Sequence, residues 1–145
     1  MTAPSPDRDQ TALGPGEATD ARVQRRAAGR DDEKLHQFVI EAARLLHDRH
    51  CEDVVAFDVR GLSDVTDYIL IASGTSDRQI GAIADELEDT ALEHDQERFG
   101  RQADEPTTWL VLDFVNLVVH LFDPDTRCHY DLEMMWGDAP RVDWG

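Results

Sequence analysis

From Asp31 onward the apolar residues follow two distinct rhythms. Leu35, Phe38, Val39, Ala42, Leu45 and Leu46 recur at helical spacing. Asp31, Asp32 and Glu33 stand at the dipole end that favours negative charge, with Arg44 and Arg49 toward the other. One amphipathic helix is predicted. Residues 54–59 then alternate, with Val55, Phe57 and Val59 on one side, as a strand does. Residues 68–72 are an unbroken apolar run of strand length, the pattern of a central strand covered on both faces.

The sharpest boundary is Ser76-Asp77-Arg78-Gln79, a capping box in which Ser76 caps a helix and Gln79 reaches back to it. Ile80, Ile83, Ala84, Leu87 and Ala91 share one side of that helix. Asp85, Glu86, Glu88, Asp89 and Glu93 lie mostly elsewhere and make an acidic solvent side. Strands at 109–114 and 117–122 flank Val115-Asn116 and predict a hairpin; a short strand is expected over 99–103. Asp123-Pro124 opens a last helix with proline in its first turn, and Gly137 and Pro140 end it. The order helix, two strands, helix, hairpin, helix needs at least one antiparallel pair. The expected class is therefore α/β of the mixed α+β kind, a small mixed β-sheet with packed helices.

Residues 1–30 break this pattern. They are rich in Pro, Gly, Thr, Asp and Arg and hold almost no large apolar side chain, so burial cannot offset the entropy of ordering them. The expectation is a disordered tail over 1–30 and one folded domain over 31–145. The tail carries Asp7, Asp9, Glu17 and Asp20 against Arg8, Arg22, Arg25, Arg26 and Arg30, a net of +1. The total of −17 thus leaves −18 for residues 31–145. Such a domain is repelled by phosphate backbones and steered toward basic protein surfaces. The tail arginines offer RNA contacts, but a solvated leader is the simpler reading.

No apolar run is long enough to span a bilayer, and the N-terminus lacks the layout of a secretory signal. Cys51 and Cys128 lie far apart and imply no disulfide scaffold. The expected location is cytoplasmic, with no membrane partner.

Several ordered motifs point to a family. Asp58-Val59 is followed by Leu62-Ser63, Thr66-Asp67-Tyr68, then Ser73-Gly74-Thr75-Ser76-Asp77-Arg78-Gln79 and Ala82-Ile83-Ala84-Asp85. Trp109-Leu110-Val111-Leu112-Asp113, Val118-Val119-His120-Leu121-Phe122, Tyr130-Asp131-Leu132-Glu133 and Trp136-Gly137-Asp138-Ala139-Pro140 complete the set. Together they resemble the ribosomal silencing factor (Iojap-like) family over about residues 33–142. Val115-Asn116 departs from the Gly-Asp usual at that hairpin, and residues 94–108 match poorly.

The resemblance implies a nucleotidyltransferase-like fold without that activity. It implies binding to the large ribosomal subunit through its L-fourteen-type protein, a block on association with the small subunit, and repression of translation under nutrient limitation. Little direct RNA contact and no cofactor are expected, and a homodimer stays open. The partner-binding candidates are Trp109, Asp113, His120, Tyr130 and Trp136. Trp109 is favoured as a contact, because tryptophan is enriched at interface hot spots. His120 is read as structural, as half of a buried pair with Asp113; Asp113 stays open between that pairing and a basic partner. Trp136, with Met135, is read as core first and interface second. Tyr68 is read as core.

An enzyme is the alternative. Ser73-Gly74-Thr75-Ser76 before a helix resembles a phosphate-binding turn. Yet the only lysine is Lys34, and Asp58, Asp67 and Asp113 form no Asp-x-Asp pair for catalytic metal. A helix cap explains the turn with less. His47-Asp48-Arg49-His50-Cys51, with Cys128 and His129 at a distance, lacks paired zinc spacing and reads as a solvated helix end.

Overall fold

A computed structural model describes residues 21–24 and 31–145. Residues 1–20 and 25–30, most of the expected tail, lie outside the described residues; 21–24 are helical. Helix α1 (Asp32–Asp48) starts where the Asp31 side chain accepts the Lys34 N–H at 3.1 Å. Strands β1 (Glu52–Asp58) and β2 (Tyr68–Ser73) follow, then α2 (Asp77–Glu93), β3 (Gly100–Ala103), β4 (Trp109–Asp113) and β5 (Leu117–Phe122). Helix α3 (Pro124–Tyr130) and a 3-10 turn (Leu132–Trp136) close the chain.

The five strands lie in the order β1-β2-β5-β4-β3. Only β2 and β5 are parallel; the other three pairings are antiparallel, and β4–β5 is the expected hairpin. The central β2 and β5 are buried along their whole length, as continuous apolar runs require. On one sheet face, Leu35, Phe38 and Leu46 of α1 and Ile80, Ile83 and Leu87 of α2 pack on Leu70, Leu112 and Val119. Each such side chain, fully buried, contributes about 1.5–3 kcal/mol. The outer edge of β1 is occupied too. Asp58 N–H donates to Pro140 O and Val142 N–H to Ala56 O, both at 2.8 Å, so the C-terminal segment shields that edge from further strands.

The last helix differs from expectation. It stops at Tyr130, because Asp131 takes a left-handed conformation (φ 45°, ψ 52°) that an α-helix cannot continue. The break turns Leu132 into the sheet while Met134 and Met135 stay exposed. The capping box forms with one shift. Ser76 Oγ accepts the Gln79 N–H at 3.1 Å, but Gln79 Oε1 takes the N–H of Thr75 rather than that of the cap. The Gln79 side-chain amide also donates to Arg49 O at 2.8 Å, joining the start of α2 to the end of α1.

Candidate interaction face

The sheet face opposite α1 and α2 carries the residues singled out from the sequence. Strand alternation sends Trp109, Val111 and Asp113 of β4 to this side, together with Val118, His120 and Phe122 of β5. Among the described residues no long helix covers it. Leu132, Trp136 and Ala139 of the C-terminal segment form the roof instead.

Trp109 lies beneath that roof, 1% exposed. Its ring stacks on Phe122 (centroids 4.8 Å apart) and meets Tyr130 at 4.7 Å. Its indole N–H donates to Nδ1 of His120 at 3.1 Å. Burial pushes the His120 pKa down to about 3, so the ring is neutral. Trp109 therefore presents no indole surface to a partner; Tyr130, 46% exposed, stands over it. Asp104 fixes the start of this strand, with Oδ1 accepting Thr108 N–H at 2.7 Å and Trp109 N–H at 3.0 Å. Burial opposes its charge, yet the bonds from Thr108 and Trp109 hold its carboxyl below the usual range.

The expected Asp113–His120 pair does not form. In the β4–β5 register His120 lies opposite Val111, and Asp113 opposite Val118. His120 turns to Trp109 instead, and Asp113 serves the hairpin. Asp113 Oδ1 accepts the Val115 N–H at 2.7 Å, and Oδ2 pairs with Arg22 of the N-terminal segment. Val115 takes φ 73°, a left-handed conformation unusual for a β-branched residue and normally supplied by glycine in such a turn.

Toward solvent the roof presents Tyr130, Met134 and Met135, the last two 77% and 54% exposed. Trp136 is half-buried against the same core, and its indole N–H has no hydrogen-bond partner among the described residues. Arg127 anchors the roof. Its Nε donates to Glu133 Oε1 at 2.7 Å and its Nη1 to Ser73 Oγ at 3.0 Å. Sequence reasoning missed Arg127 and Asp104, since a charged residue in a polar stretch reads as solvated. The Asp123-Pro124 helix start placed Arg127 one turn into a helix beside the sheet, but nothing local marked it as buried.

The remaining chemical candidates do not converge. Asp58 is engaged by Arg60 (Nε to Oδ1 3.0 Å, Nη2 to Oδ2 2.7 Å), which holds its carboxyl below the ordinary range. That guanidinium also covers the buried Tyr68 ring at 5.3 Å. His47 lies against Trp144, with ring centroids 5.5 Å apart. Cys51 is buried, which pushes its thiol up to about 11, and Cys128 is exposed. Among the described residues no group of three or more His, Cys, Asp or Glu is placed to hold a metal ion. No described helix is long and apolar enough to cross a membrane. Gly74, in the turn that resembled a phosphate loop, is required by packing. A Cβ there would sit 2.5 Å from Ile80 Cγ1.

Comparison with known proteins agrees with this geometry. The family model described as "Ribosomal silencing factor during starvation" matches residues 32–145. The chain is 41% identical over 102 residues to the ribosomal silencing factor of Bacillus subtilis (strain 168), covering 70% of this chain and 86% of that protein. It is 38% identical over 112 residues to that of Halalkalibacterium halodurans, covering 77% and 93%. A crystal structure of a Bacillus halodurans protein superposes with a TM-score of 0.61 at 35% identity, covering 77% of this chain and 98% of that one.

Proposed function

Because the chain belongs to the ribosomal silencing factor family, we propose that it binds the large ribosomal subunit through its L-fourteen-type protein and hinders association with the small subunit. Translation falls as a result when nutrients are scarce. The observation that carries this reading is the family match over residues 32–145, which takes in all five strands and the helices that pack on them. The physics of the domain supports it. A domain of net charge −18 gains discrimination in an RNA-rich setting, where phosphate repels it and only a basic protein patch attracts it. Tyr130, Met134 and Met135 give the roof exposed side chains of the types enriched at interface cores. The protein acts by binding in the cytoplasm, on a nucleotidyltransferase-like frame put to a non-catalytic use.

The test is co-sedimentation of the purified protein with isolated large and small subunits across a salt series, followed by a subunit-joining assay. The expected result is binding to the large subunit alone, weakening as salt rises, with fewer joined particles. Binding to neither subunit at any salt concentration overturns the proposal.

A further inference from the structure

Arg22 lies outside residues 32–145, the region the family model matches, yet its guanidinium is inserted into that region. Nη1 pairs with Asp113 Oδ2, Nη2 donates to Val115 O at 3.0 Å, and Nε donates to Val65 O at 3.1 Å. The Phe99 ring covers the cation, with Cζ 5.8 Å from its centroid. The side chains of Arg22 and Asp113 are 13% and 2% exposed, so the carboxylate is buried while the guanidinium sits half-buried at the rim.

These acceptors suit one cation shape. Three oxygens from β4, the hairpin turn and the loop before β2 each take a different nitrogen of one planar fork. A lysine ammonium is a single point and cannot span them. The receptor also needs a cation, since a carboxylate buried to this degree is strongly disfavoured when unpaired. All of its parts (Val65, Phe99, Asp113, Val115) belong to the domain, and only the plug comes from the segment before it. The domain itself is acidic, so an incoming basic segment is drawn to it.

We propose that Asp113, Val115, Val65 and Phe99 form a receptor for the arginine side chain of a basic protein partner. In the free chain its own Arg22 occupies this receptor and must leave before the partner's arginine enters. The partner half of this statement rests on the ribosomal reading above; the receptor itself rests on geometry alone.

N-acetyl-arginine methylamide is the probe, titrated into the full-length protein while the backbone amide resonances of Val115 and Asp113 are followed. With Arg22→Ala the probe binds about tenfold more tightly or better than to the parent, because the self-occupied fraction is gone. The corresponding lysine derivative shows no such gain, and Arg22→Ala combined with Asp113→Asn loses it. Should Arg22→Ala fail to fold, Arg22→Lys carries the same comparison, since it keeps a cation near Asp113 but gives up the fork. Equal affinity for parent and variant, or equal affinity for arginine and lysine probes, overturns the proposal. The probe is a single amino-acid derivative, so this outcome is independent of whether the chain sediments with ribosomal subunits.

Discussion

The indole N–H of Trp109 donates to Nδ1 of His120 across the β4–β5 hairpin, at 3.1 Å. Indole nitrogen is only a donor, so the histidine must accept at Nδ1 and carry its proton on Nε2. Protonating the ring would set two N–H groups against each other in a site without water access. Geometry and burial therefore agree that the pair exists only with neutral imidazole.

This fixes a pH dependence. His120 titrates near 6.5 when unfolded and is pushed down to about 3 when folded. Below pH 6.5 the unfolded chain takes up a proton that the folded chain refuses. Stability is thus fully present above about 6.5 and falls as pH drops toward 3, by about 1.4 kcal/mol per pH unit. Asp58 and Asp104, whose carboxyls are depressed, add a loss only below the ordinary carboxylate range near 4. Urea unfolding at pH 7.5, 6.0 and 5.0 should show the His120 slope, and His120→Gln should flatten it. A parent slope that survives His120→Gln assigns the proton elsewhere.

Trp109 and Tyr130 should separate stability from docking. Trp109→Ala empties a fully buried site and is expected to cost about 3–5 kcal/mol, so weakened binding by that variant is uninformative. Tyr130→Ala and Met134→Ala remove exposed side chains and should shift stability by less than about 1 kcal/mol. Sedimentation with large subunits should weaken for these two while their thermal midpoints hold. Parent-like binding by both would place the contact surface away from the roof.

Gly74→Ala drives a Cβ to 2.5 Å from Ile80 Cγ1, within a packed helix start. A loss of about 1–3 kcal/mol is expected in denaturant unfolding. Gly81, inside α2 with nothing within 4 Å of an added Cβ, is the control. There alanine should stabilise by about 0.5–1 kcal/mol through helix propensity.

Asp104→Ala leaves the amides of Thr108 and Trp109 without their acceptor. The expected loss is about 2 kcal/mol, with altered tryptophan fluorescence because the start of β4 is no longer held. Asp104→Asn, which retains a carbonyl oxygen, should lose less.

Much of the fold was legible from local pattern. The periodicity of α1 and α2, the continuous runs of β2 and β5 and the two-residue turn at Val115-Asn116 are short-range signals, and each produced its element. The motif set reached the family for the same reason, since matching residues lie in order along the chain. The final helix was misjudged, because Asp131 in a left-handed conformation carries no local mark such as glycine.

The candidate residues divide along that line. That Trp109, Asp113 and His120 share one sheet face follows from alternation and hairpin register, which sequence spacing dictates. Which of them pair, and which reach solvent, depends on what lies across the sheet. The roof over Trp109, Arg127 reaching Ser73 over 54 positions and Arg22 reaching Asp113 over 91 are all long-range contacts, and within the hairpin it is this packing that leaves His120 to Trp109. Alternation assigns a side chain to a face; only the folded chain supplies the neighbour that buries it or satisfies its charge.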